Sequence, residues 1–108
     1  MMDLPKPIAA YFEADRSRDA DAVAMCFAPG ATVKDERQHH QGHEAIRQWK
    51  AQAAKAYTYR VEPHTIGTDG ERTVVTSTVT GNFPGSPVDL CYVFVLGGDR
   101  IAELEIVP

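Results

Sequence analysis

A chain of 108 residues, 44% of them apolar, is one domain's length and can bury a single core with room for one pocket. Eleven Lys and Arg against fifteen Asp and Glu give a formal charge of −4. That is the wrong sign for a nucleic-acid binder or for a partner of an anionic membrane surface, since both need an excess of cations. 

The N-terminus, Met1-Met2-Asp3-Leu4-Pro5-Lys6-Pro7, has no basic segment followed by an apolar run, so no secretory leader is expected. Pro5 and Pro7 suit the start of a helix, where a missing N–H does no harm. Ile8, Tyr11 and Phe12 recur at i, i+3, i+4 and share one face of it. Asp19 is a good N-cap for a second helix, whose face is Val23, Cys26 and Phe27 and whose stop is Pro29-Gly30. A short strand is expected from Ala31 to Asp35 or Glu36, then a loop broken by Gly42. Ile46, Trp49, Ala53 and Tyr57 form the apolar stripe of a third, longer helix.

The second half is strand-like. Residues 57–62 alternate apolar and polar, and Thr68-Asp69-Gly70-Glu71 carries the Asp-Gly turn signal. Arg72 to Phe83 is rich in Thr and Val, Pro84-Gly85-Ser86-Pro87 turns, and Val88–Leu96 and Arg100–Val107 follow around Gly97-Gly98-Asp99. Predicted helices therefore lie within 5–17, 19–28 and 42–57, and strands near 58–67, 72–83, 87–97 and 99–107. Tight turns imply antiparallel pairing, and three helices before a four-strand meander is an α+β pattern. No linker or repeat divides residues 1–108. The longest apolar run, Leu90 to Leu96, is about a third of a membrane span. Cys26 and Cys91 stand apart and outside any Cys-x-x-Cys, as buried thiols do in a reducing compartment, so a cytoplasmic protein is expected.

Two segments carry a resemblance. Phe27-Ala28-Pro29-Gly30-Ala31-Thr32-Val33-Lys34-Asp35 and Gly42-His43-Glu44-Ala45-Ile46-Arg47-Gln48-Trp49, with Gly98-Asp99-Arg100-Ile101 opening the last strand, resemble the nuclear transport factor 2-like superfamily in its SnoaL-like and ketosteroid-isomerase-like branches. The resemblance covers nearly the whole chain. It implies a cone-shaped barrel: a strongly curved, mainly antiparallel sheet packed on three N-terminal helices, paired as a homodimer through the sheet. This fold hosts enzymes, binding proteins and inert dimers alike.

Strand parity points to Asp35 independently. Ala31, Val33 and Asp35 share a face, which is the apolar one, so the carboxylate belongs at the rim of the core, where a general base would sit. Glu36 faces the other way and is a weaker candidate for contact with a ligand. In ketosteroid isomerases an Asp at the end of this strand moves the proton, while a Tyr on the first helix and a protonated Asp on a later strand hold the oxyanion. The resemblance thus gives Asp35 the role of base and Tyr11, 24 positions earlier, that of donor. The second acid has no counterpart: Leu90 or Cys91 occupies its position, and Asp89 faces away from Leu90. The epoxide-hydrolase branch of the resemblance uses an Asp–Arg–Asp relay that has no counterpart here either.

His39, His40 and His43 lie within five positions, but His43-Glu44-Ala45-Ile46-Arg47 is not His-Glu-x-x-His, so no metal and no cofactor are expected. His40, just before Gly42, is placed to assist as a second acid/base. Trp49 is core or pocket wall. Leu90, Tyr92 and Phe94 share a strand face expected to line the pocket, with Tyr57, Tyr59 and Phe83 nearby. The expected partner is a hydrophobic small molecule, and the expected chemistry is isomerase- or cyclase-type proton transfer with Asp35 as base. The alternative is a non-catalytic ligand-binding or structural homodimer module.

Overall fold

A computed structural model describes residues 3–108. The described residues form three helices, α1 (Lys6–Arg16), α2 (Ala20–Met25) and α3 (Gly42–Ala56), and six strands: β1 (Phe27–Asp35), β2 (Gln38–Gln41), β3 (Tyr59–Asp69), β4 (Arg72–Gly81), β5 (Val88–Gly97) and β6 (Arg100–Val107). The strands make one sheet in the order β2-β1-β6-β5-β4-β3. All neighbours are antiparallel except β1 and β6, which run parallel. Register shifts interrupt β1 against β6, β3 against β4 and β5 against β6. Each such irregularity bends its strand, and together they curl the open sheet around the helices.

The α+β expectation and the three helices hold, as do the four strands of the second half. Asp19 caps α2 as expected, its Oδ1 accepting from the Ala22 N–H at 3.1 Å. Two boundaries differ. The second helix ends at Met25 rather than at Pro29-Gly30, because Phe27 already pairs with Ile101 and is fully buried, and the Ile101 N–H donates to the Cys26 carbonyl at 2.9 Å. Pro29 and Gly30 instead fall in the irregular stretch of β1. The segment before Gly42 is not a loop but strand β2. A two-residue hairpin creates it: Glu36 and Arg37 both take positive φ (51° and 65°), the geometry that a type I′ turn requires.

The core fills the concave side of the sheet. Ile8, Tyr11 and Phe12 of α1, Val23 of α2 and Ile46 of α3 pack on Phe27, Val33, Val75, Phe94, Ile101 and Leu104. Tyr11 meets Phe12, Phe27 and Phe94 edge to face at 5.2–6.0 Å between centroids. Among the described residues no helix is long and apolar enough to cross a membrane.

Candidate functional site

Beside this core the sheet and α3 leave a cleft of about 920 Å³, within the range of small-molecule sites. Tyr59, Val79, Leu90, Tyr92 and Ile106 supply its sheet wall, Trp49, Lys50 and Ala53 its helix wall, and Phe83 and Val88 flank it. Lys34, Glu36, Arg37 and Glu105 put charges of both signs around it, with His39 beside them.

Asp35 ends β1 on the same face as the buried Ala31 and Val33, as parity requires, and is itself half-buried in the cleft lining. Its Oδ2 accepts a hydrogen bond from Trp49 Nε1 at 3.0 Å. Trp49 is held in turn by His40, whose ring stacks on the indole at 5.8 Å with 27° between planes. The three side chains form one chain of contact from β2 through α3 to β1. His40 reaches it because it pairs with Val33 across the hairpin and shares the inner face.

The remaining expected residues divide. Leu90 and Tyr92 line the cleft. Glu36 lies at its rim, exposed in the hairpin turn. Phe94 shares their strand face but is fully buried in the core and does not line the cleft. Tyr11 is also outside the lining: α1 packs its apolar stripe onto the middle of the sheet, and the ring is completely enclosed. Its hydroxyl is buried without a partner, and burial with the nearby Asp15 charge pushes its pKa well above the ordinary range. The histidine cluster disperses. His39 is exposed, His40 stacks on Trp49 and, contrary to its expected acid/base place, is outside the cleft lining, and His43 Nε2 donates to the Phe27 carbonyl at 2.7 Å, tying the start of α3 to β1. Among the described residues no three His, Cys, Asp or Glu side chains gather as a metal site would require.

Sequence reasoning missed a buried ion pair. Lys50 Nζ lies 2.9 Å from Asp15 Oδ1, with side-chain exposures of 7% and 6%. The Tyr59 hydroxyl donates to the same oxygen at 3.1 Å, and burial with the Asp15 charge raises that phenol's pKa. Lys50 Nζ also lies 4.3 Å from the centroid of the Trp49 ring and 5.1 Å from that of Tyr11. The signal was present: Asp15 falls seven residues after Ile8, and Lys50 four after Ile46, so each puts a charge on an apolar stripe.

Comparison with known proteins agrees with this architecture. The family described as SnoaL-like domain matches residues 8–104. A crystal structure from Sinorhizobium meliloti, named "putative polyketide cyclase", is 48% identical over 97% of this chain and 96% of that one, with a TM-score of 0.92. A hypothetical protein with a ketosteroid isomerase-like fold from Catenulispora acidiphila, in complex with trimethylamine, is 18% identical over 98% and 87% of the two chains, with a TM-score of 0.85. An LEH-like epoxide hydrolase from M. tuberculosis is 18% identical over 94% and 79%, with a TM-score of 0.75. The last two show the shared fold alone. No curated protein matches the chain.

Proposed function

The chain belongs to the SnoaL-like domain family, and we propose that it is an isomerase- or cyclase-type enzyme moving a proton on a small, mostly apolar carbonyl compound, with Asp35 as general base. The observation that carries this reading is the setting of that carboxylate. It lines an apolar cleft, and the Trp49 N–H at 3.0 Å fixes the direction of one oxygen and leaves the other for a ligand. A carbon acid beside a carbonyl would lose its proton to Asp35: the C–H bond breaks, an O–H bond forms, and the electron pair moves to the carbonyl oxygen as an enolate. Return of the proton to another carbon completes an isomerisation. Attack of the enolate carbon on a second carbonyl of the same molecule, with the proton passing to the new alkoxide, completes an aldol cyclisation. The name carried by the Sinorhizobium meliloti protein, at 48% identity, favours the cyclisation branch.

In this reading Leu90 and Tyr92 hold the apolar body of the ligand, and Glu36 stands at the mouth. His40 is a positioning residue that acts through Trp49. Binding without turnover is the competing reading, favoured by the absence of Tyr11 from the lining and by Leu90 at the position of the ketosteroid-type acid. Asp35→Asn decides between them. It preserves shape and removes the base, so turnover should fall by about 10²–10⁴-fold with ligand affinity largely kept. Equal turnover by variant and wild type would remove Asp35 from the role.

A further inference from the structure

The cleft has a second polar pole that the base does not use. Lys50 lines it, 93% of its side chain is withdrawn from solvent, and its Nζ lies 2.9 Å from one carboxylate oxygen, Asp15 Oδ1. A buried ion pair adds little stability over an apolar pair of the same volume. What this pair does offer is a fixed cation in the wall of an apolar cleft. Asp15 is held by the Tyr59 hydroxyl as well, so the ammonium is anchored from behind. The Trp49 indole stands between the two poles: its N–H binds Asp35 and its face covers Lys50 Nζ. Lys50 pairs with Asp15 and not with Asp35, so the Asp35 carboxylate is not neutralised by it.

We propose that Lys50 receives the ligand oxygen on which negative charge develops, and that the cleft therefore takes carbonyl compounds that enolise. This inference rests on the general-base reading above. As Asp35 takes the proton it becomes neutral, and the charge it loses appears on the ligand oxygen. A fixed ammonium in a poorly hydrated site then stabilises the enolate more than the ketone. Lys50 thereby fills the donor role that Tyr11, enclosed in the core, does not reach.

The test uses para-nitrophenol, an apolar ring whose phenolate imitates an enolate and absorbs differently from the phenol. In the Asp35→Asn variant the amide imitates the protonated base. Bound probe should there favour the phenolate over the phenol by roughly ten- to hundredfold relative to free probe, the strength of a hydrogen bond to a charged group. Adding Lys50→Met together with Asp15→Asn removes the cation without leaving a lone buried charge, and should erase that preference while the probe still binds. No phenolate preference in the Asp35→Asn variant overturns the proposal even if the further variants do not fold. So does a preference that survives the loss of Lys50. The general-base reading fails separately: a Lys50-dependent preference in a protein that catalyses no proton exchange would remove Asp35 as base and leave Lys50 as the oxyanion-binding residue.

Discussion

Replacing Lys50 by Met tests the buried ion pair behind the helix wall of the cleft. Met matches the stem and removes the ammonium, so the Asp15 carboxylate, 6% exposed, keeps only the Tyr59 hydroxyl at 3.1 Å. Breaking a buried pair from one side costs about 3–5 kcal/mol, because the remaining charge is stranded. At about 4 °C per kcal/mol for a chain of this length, Tm should fall by about 12–20 °C. Asp15→Asn should cost less, since Lys50 keeps the faces of Trp49 and Tyr11 at 4.3 and 5.1 Å. The double variant should recover most of the loss, because both charges leave together. Urea unfolding of the four proteins at a common m-value gives the coupling energy, expected at about 2–4 kcal/mol. A Lys50→Met loss under about 1 kcal/mol, or additive single effects, would mean that the pair is solvated.

Three further outcomes follow from the same packing. Burial first, and the Asp15 charge next, hold the phenols of Tyr11, Tyr59 and Tyr92 above their ordinary pKa of 10.0. Their contribution to stability is therefore complete below about pH 10 and is lost as pH rises towards the raised folded values. Urea unfolding across that window should show falling stability, and unchanged stability to pH 12 would contradict it. Gly81→Ala should cost about 1–3 kcal/mol in urea unfolding, because a Cβ there would sit 2.8 Å from Tyr59 Cβ and crowd the β3 backbone; an unchanged midpoint would refute the close approach. On the outer face of the sheet Val74, Cys91, Val93 and Val95 lie side by side and half-buried, and we propose that a second copy covers them. Sedimentation at tens of micromolar should give twice the chain mass, reduced to one chain by Val93→Asp, and a monomeric wild type would contradict the pairing.

Periodicity made the helices and the last four strands legible, because the helices carry apolar stripes and the strands combine alternation or Thr- and Val-rich runs with clear turn signals between them. It missed β2, where Gln38-His39-His40-Gln41 offers no apolar alternation and pairing depends on the left-handed turn at Glu36 and Arg37. It misplaced the end of α2 because Phe27 continues the helical stripe, yet is needed by the sheet opposite Ile101. Parity found the face of Asp35. It could not find the bond from Trp49, which depends on how α3 crosses β1. Nor could it give depth: the position of Tyr11 on its stripe is correct, but whether that stripe meets the cleft or the core depends on how the sheet curls. Asp15 and Lys50 were readable as charges on apolar stripes, although their mutual contact joins α1 to α3 between residues 35 apart in sequence.

Removal of a carbon-bound proton by Asp35 is the central step of the proposed reaction. Exchange of the methyl protons of acetophenone in deuterated water, followed by NMR, reads that step without requiring the natural substrate, while quenching of the lone Trp49 reports binding in the same samples. Wild-type protein should accelerate exchange above buffer, and the Asp35→Asn variant should lose about 10²–10⁴-fold of that acceleration while quenching Trp49 at similar ketone concentration. Exchange of equal rate in the two proteins, with binding intact in both, would contradict the central claim.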